Sequence, residues 1–465
     1  MRSAIETAGE IRAGKRTAVE ATTESLDAIA RANPELNAFV HLDAEGALEA
    51  AAAVDARVAA GDDPGPLAGV PFGVKDLDDC AGMPTTHGSR WYLGRPPVAN
   101  DALHVARLRA AGAIPLGKTA APEFGTFAYT ASPALGVTRN PWNPERTPGG
   151  SSGGSAAAIA AGMVPFATSS DGGGSTRTPA GFCGLVGLKC SYGRIPDADA
   201  SRYAQTAVPG ALATTVADSA RLLDVMAGPS RRDRSSLPAP TVRYEDAIET
   251  LDVDGLRIAW SSDLGFAVVD PEVAEIAHAA FEALVAAGSL HHDPRPIEFR
   301  DPIPIWARIT GVDMWVNLPE GCWPERADDL DPRVRPGFDS ASRVTLPKFG
   351  RVATARLAIE DSMADLFDTV DVLATPMAAI TAFEAEGPMP TEILGQRVHA
   401  GMSVPFAMLS NIWGSPAISV PAGVSKAGMP VGLHLMADRH RDDVCLRLAR
   451  ILEQARPWPL HAPAR

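Results

Sequence analysis

Two stretches collect the residue types that nucleophilic chemistry needs: Thr147-Pro148-Gly149-Gly150-Ser151-Ser152-Gly153-Gly154-Ser155, and Asp171-Gly172-Gly173-Gly174-Ser175-Thr176-Arg177. Glycine loses more backbone freedom on folding than any other residue, so two such clusters in an ordered core imply backbone shapes or close approaches that side chains would forbid. The N–H groups of Gly172, Gly173, Gly174 and Ser175 can face one concavity and hold an anion or a developing oxyanion, with Ser175 at its mouth. A serine hydroxyl is a poor nucleophile until a base removes its proton. Lys75, in Gly73-Val74-Lys75-Asp76 at the end of an apolar run that begins at Leu67, can be that base if burial keeps it neutral.

Three arrangements compete for these loops. A phosphate-binding loop has the glycine spacing of Gly149 to Gly154, but Ser155 and Ala156 follow where Lys and Ser/Thr are required. A nucleophile elbow fits Gly149-x-Ser151-x-Gly153, with His434 or His440 as its late histidine. An elbow must follow a buried strand, and Asn140 to Pro148 carries three prolines. The third arrangement uses both serines with Lys75, a variant of triad logic.

On these residues the region resembles the amidase signature family of serine hydrolases, whose motif reads as a GGSSGGS loop followed by a DTGGS loop; Gly172 stands where the family usually has threonine. The likeness follows motif order from Ile5 to Leu452 and is most specific between Val70 and Arg194. It implies Ser175 as nucleophile, Ser151 as a bridging serine on a cis peptide bond after Gly150, and Lys75 as base. It gives Gly172, Gly173 and Gly174 the oxyanion hole and sets Gly125, Thr126 and Phe127 beside the substrate. It implies an α/β fold with a central mixed β-sheet covered by helices on both sides. The implied reaction cleaves a C–N acyl bond of an amide, aryl amide or carbamate, with no metal and no cofactor. An A-type amidotransferase component that works in a tRNA-amidating complex would resemble the same family. Asp171 and Arg177 read as a buried ion pair shaping the Ser175 loop, and Ser152 as a hydrogen-bonding support.

The elements that must position these groups follow in order. Thr17 and Glu20 form a capping box for a helix that Asn33-Pro34 closes, and a second helix over Ala47 to Ala60 stops at Gly61. The strand bearing Lys75 follows. Asp101 is placed as the cap of a helix running to Ala111, with a strand at Ala113 to Leu116. Gly154 to Met163 suits a helix packed behind the loops, and Val164 to Ser170 returns as a strand. Asp270, Pro271 and Gly288 bracket a further helix, and His291-His292-Asp293 reads as a surface turn. Trp306, Trp315 and Trp323, among several prolines, form an irregular stretch able to roof an apolar pocket. Strands at Val370 to Ala374, Pro416 to Pro421 and Val431 to Met436 precede a last helix from Asp442. We read one domain over residues 1–465, with a helical part at 1–66, a catalytic core at 67–195 and a pocket-covering segment at 296–350.

Composition fits an ordinary globular protein: of 465 residues, 46% are hydrophobic and 21% charged. A net charge of −14 repels phosphate backbones, so nucleic acid is not expected as a partner. The 5 cysteines include no CxxC pair, which argues against a zinc site or disulfide framework. The first residues lack a signal peptide's apolar core and no apolar run has membrane-spanning length, so a cytoplasmic location is expected, with no membrane partner. A homo-oligomer is compatible with the sequence. With no cationic clamp in the motifs, the expected substrate is uncharged and largely apolar.

Overall fold

The computed structural model describes residues 1–198 and 204–463. Ser3 and Thr17 each open a helix through a reciprocal cap, the hydroxyl accepting from the N–H of Glu6 or Glu20 while that glutamate accepts from the cap N–H. The helix Ala4–Arg12 has no counterpart in the sequence reading. The helix Ala18–Leu36 runs through Pro34 to Asn37, which takes the left-handed conformation. Asn33, expected to end it, accepts from the N–H groups of Ala38 and Phe39 at 2.8 and 2.7 Å and so steers the chain into the first strand.

Among the described residues, 11 strands form one sheet. They are β1 (Phe39–Leu42), β2 (Pro71–Lys75), β3 (Ile114–Thr119), β4 (Phe166–Asp171), β5 (Val186–Lys189) and β6 (Val208–Ala213), followed by β7 (Arg257–Trp260), β8 (His291–Asp293), β9 (Val372–Pro376), β10 (Ala417–Val424) and β11 (Pro430–Ala437). The order across the sheet is β1-β3-β2-β4-β6-β5-β10-β11-β9-β7-β8. β3, β2 and β4 run parallel, as do β9, β7 and β8, and antiparallel pairs join them. The expected mixed sheet is therefore present.

Alternation along β4 shows how the sheet is covered. Phe166 belongs to the buried cluster on one face, which includes residues of the helices Ala4–Arg12, Val216–Met226, Pro271–Ala287 and Asp442–Ala455, while Ala167 belongs to that on the other face, with residues of Ala18–Leu36, Ala44–Ala60 and Gly153–Ala160. Phe72 and Phe166 stack at 5.0 Å on neighbouring strands, both fully buried, and each such side chain contributes about 1.5–3 kcal/mol by leaving water.

Three local expectations are corrected. Asp101 does not cap the next helix, which begins at Leu103; its carboxylate accepts instead from the Ala81 N–H at 2.7 Å. His291–Asp293 is an edge strand paired in parallel with Arg257–Trp260, because the backbone finds ladder partners that its polar side chains do not reveal. The tryptophan-bearing stretch is mostly helical, as Ile303–Val316, Arg335–Ser342 and the start of Leu346–Phe367. Pro304, Pro336 and Pro347 fall in the first turns of those helices, where a missing N–H costs nothing, while Pro319, Pro324 and Pro332 lie in the connections.

Candidate active site

Lys75 is the last residue of β2 and Asp171 the last of β4, so two neighbouring parallel strands deliver a lysine and a carboxylate to the same end of the sheet. Crevices beyond the carboxyl ends of parallel strands are where open α/β sheets bind ligands. Between them the chain passes through a cis peptide bond at Gly150–Ser151, as the resemblance implies, and enters the buried helix Gly153–Ala160. That helix lies close to the backbone after β3: a Cβ on Gly154 would stand 2.3 Å from the Ala120 nitrogen.

Lys75 is fully buried and ends among three hydroxyls. Its Nζ lies 2.8 Å from Ser151 Oγ, 2.8 Å from Ser152 Oγ and 2.9 Å from Ser170 Oγ. Burial, which disfavours the ammonium, pulls its pKa down from 10.5 to about 8, against the opposing pull of the Asp78 and Asp171 carboxylates. A neutral amine keeps two N–H donors and gains one lone pair, so three hydroxyl neighbours can be satisfied in either protonation state. The Lys75 backbone is held as well, its N–H donating to Thr168 Oγ1 at 2.8 Å, and that hydroxyl donates to Asp78 at 2.7 Å. Ser170 and Asp78 carry no motif signal; the alternation of β4 beside β2 is the feature that could have revealed Ser170.

The Ser175 loop is built around Asp171 and Arg177. The guanidinium grips the carboxylate with Nε and Nη2 at 2.9 and 2.8 Å, and neither side chain has exposed surface. Burial alone would raise the Asp171 pKa, but the Arg177 charge and hydrogen bonds, with Asn411, hold it far below the usual carboxylate range. The expected pair is therefore present, and its remaining bonds reach the far end of the sequence. Arg177 donates to Ala407 O, Ser410 Oγ and Asn411 Oδ1 at 3.1, 2.9 and 2.7 Å, while Asn411 Nδ2 donates to Asp171 at 3.0 Å.

One expectation for this loop needs correction. Gly174, read as an oxyanion donor, gives its N–H to Asp171 Oδ1 at 2.7 Å. A carboxylate ending β4 captures the third glycine of the turn, so it does not share the orientation that three consecutive glycines suggest.

A cavity of about 270 Å³ opens over these loops, with Ser151, Ser170, Gly172, Gly173 and Ser175 on its floor. Gly125, Thr126 and Phe127 line it, as the resemblance implies; a Cβ on Gly125 would lie 3.2 Å from Ser151 Oγ. The helix Ile303–Val316 supplies Ile303, Trp306, Thr310, Asp313 and Met314. Of the three tryptophans only Trp306 reaches the cavity. Trp315 is half-exposed and Trp323 packs in a satellite cluster with Phe338. The two histidines offered to an elbow are elsewhere: His434 is buried against Arg177 and Thr375, and the His440 N–H donates to Ser191. Among the described residues no group of His, Cys, Asp or Glu is placed to hold a metal ion, and no helix is long and apolar enough to cross a membrane. All five cysteines are free and buried.

A lysine and three serines meet at the mouth of an open α/β sheet, beneath a cavity, in a chain whose fold and family match are those of amidase signature hydrolases of C–N amide bonds. The chain belongs to the Amidase family, whose model matches residues 20–446. An acylamidase of Rhodococcus erythropolis is 36% identical over 470 residues, covering 99% of this chain and 97% of that one. The A component of the glutamyl-tRNA(Gln) amidotransferase of Acidothermus cellulolyticus is 37% identical over 492 residues, with 98% and 94% covered. In three dimensions a bacterial aryl acylamidase of the amidase signature enzymes superposes with a TM-score of 0.91 at 27% identity, covering 98% of this chain and 96% of that one. A 6-aminohexanoate cyclic dimer hydrolase superposes with a TM-score of 0.87 at 30% identity, with 98% and 97% covered.

Proposed function

We propose that this chain hydrolyses an uncharged, largely apolar amide, aryl amide or carbamate through an acyl-enzyme on Ser175. The observation that carries the reading is the Lys75 amine, buried and within 2.8 Å of the Ser151 hydroxyl. In the first step Ser175 Oγ attacks the carbonyl carbon, its proton passes to Ser151, and the Ser151 proton passes to neutral Lys75. The oxyanion is held by the N–H groups of Gly172, Gly173 and Ser175, with Gly174 committed to Asp171. Lys75, now an ammonium, returns a proton through Ser151 to the leaving nitrogen, and the C–N bond breaks. Water, deprotonated by the same relay, then releases the acyl group. Ser152 and Ser170 accept from the two remaining Lys75 N–H groups and keep the amine aimed at Ser151.

The substrate class follows from the cavity walls. Phe124, Phe127, Ile303, Trp306 and Met408 are apolar, and Asp313 is the one ionisable side chain among the described residues that line the space. A substrate that bears a carboxylate, such as glutamine, meets no cationic side chain among the described residues that line the space. The aryl acylamidase likeness supports the same class.

A second reading, an amidotransferase component working only in a tRNA-amidating complex, is favoured by the similarly close identity to the A components of glutamyl-tRNA(Gln) amidotransferases. One experiment separates the two: the purified chain alone is assayed on aryl amides, aliphatic amides, carbamates, esters and glutamine. Turnover of aryl amides well above that of glutamine is expected. Glutamine hydrolysis as the fastest reaction, or activity only with added partner proteins, would favour the complex.

A further inference from the structure

Trp306 touches the Ser175 loop from 134 residues away in the sequence. Its indole N–H donates to the carbonyl oxygen of Gly172 at 2.6 Å. Its ring also covers the next residue so closely that a Cβ on Gly173 would fall 2.3 Å from Cζ2 and 2.6 Å from Cε2. The Gly172–Gly173 peptide is not among the cis bonds of the chain, so its C=O and its N–H point in opposite directions within one rigid plane. A hydrogen bond on the carbonyl therefore fixes the direction of the Gly173 N–H. It also polarises the amide and makes that N–H a stronger donor.

We infer that Trp306 is a positioning residue that aims the Gly173 N–H at the developing oxyanion. The inference rests on the acyl-enzyme reading above. Because the Gly174 N–H is bonded to Asp171, Gly173 carries a larger share of oxyanion stabilisation than it would in a turn with all three glycines free to donate. The requirement for glycine at 173 is then mutual: only a residue without a Cβ lets the indole approach the peptide it orients. The helix Ile303–Val316 that carries Trp306 also turns Thr310, Asp313 and Met314 into the cavity, so one element both contacts substrate and sets the donor.

The test is Trp306→Phe in the full chain, which keeps an aromatic ring and removes the N–H. kcat on an aryl amide should fall about 10- to 100-fold, below the full worth of a lost oxyanion donor, while KM stays within about twofold. Affinity for a trifluoromethyl ketone, which forms a tetrahedral adduct, should fall by the same factor, whereas affinity for the matching non-reacting alcohol should hold. A fluorophosphonate should still label Ser175. If Trp306→Phe does not fold, replacement of Trp306 by β-(3-benzothienyl)alanine, which retains the bicyclic shape without the N–H, gives the same readout. A normal Ser175 adduct with unchanged kcat and ketone affinity would overturn this inference alone. A wild-type chain that forms no Ser175 adduct would overturn the acyl-enzyme reading, and this one with it.

Discussion

Lys75 Nζ lies 2.8 Å from Ser151 Oγ in a place where the lysine has no exposed surface and the serine keeps 2%. Burial is the larger influence on this amine and lowers its pKa from 10.5 to about 8. A depressed lysine pKa means that the neutral, proton-accepting form is scarce below that value and dominant above it. log(kcat/KM) should rise with pH at unit slope and level off above about pH 8. Asp78 opposes the shift, so Asp78→Asn should move the midpoint to lower pH. A flat profile, or a midpoint that moves upward in Asp78→Asn, would show that Lys75 is not the titrating base.

The two serines should separate on covalent labelling. A sulfonyl fluoride probe should mark a peptide containing Ser175, and Ser175→Ala should lose the label. Ser151→Ala removes only the relay, so slow labelling should survive while turnover falls by roughly 10²- to 10⁴-fold. Mass spectrometry of the adduct decides between the two; a label on Ser151 that persists in Ser175→Ala would reverse the assignment.

Arg177→Met should destabilise the fold by about 3–5 kcal/mol, because it leaves the fully buried Asp171 carboxylate without its charge partner. Urea unfolding followed by tryptophan fluorescence measures it. A loss below about 1 kcal/mol would mean that Asn411 and the loop N–H groups alone can hold the carboxylate.

Two glycine-to-alanine changes should differ in their effect on stability. Gly154→Ala brings a Cβ to 2.3 Å from the Ala120 nitrogen and 2.5 Å from its oxygen, backbone atoms that cannot turn aside, and should cost about 1–3 kcal/mol. Gly311→Ala, in the helix Ile303–Val316 with nothing within 4 Å, should be neutral or gain about 0.5–1 kcal/mol. Thermal unfolding of both variants checks the pair; equal melting temperatures would contradict the close packing at Gly154.

The helices with strong local signals are legible in the sequence: Thr17 and Glu20 cap one end, and Asp270, Pro271 and Gly288 bracket another. The resemblance to the amidase signature motifs also singles out Lys75 and Ser151, and the Asp171 and Arg177 that flank the second loop read as an ion pair. What is not legible depends on contacts between distant segments. Trp306 donates to Gly172, Asn411 to Asp171, and His291–Asp293 finds its ladder partner at Arg257–Ala259, none of which leaves a periodic trace. Prolines are the other source of error. They read as irregularity at 302–350, yet Pro304, Pro336 and Pro347 open helices there, since a first-turn proline and a loop proline look alike without the tertiary frame.

Arg177 makes the order of synthesis matter. A nascent chain that has emerged only as far as residue 400 already contains Lys75, both serine loops and Asp171. It lacks Ala407, Ser410 and Asn411, which receive the guanidinium, and the β11 strand with His434 beside it. Until those residues arrive, Asp171 still ties the turn through the Gly174 and Thr176 N–H groups and the Arg177 guanidinium, but the guanidinium donors that reach Ala407, Ser410 and Asn411 lack their partners. A fragment ending before residue 407 thus retains Lys75, both serine loops and the Asp171–Arg177 pair, but not the backbone and side chains from 407–411 that surround the guanidinium in the whole fold.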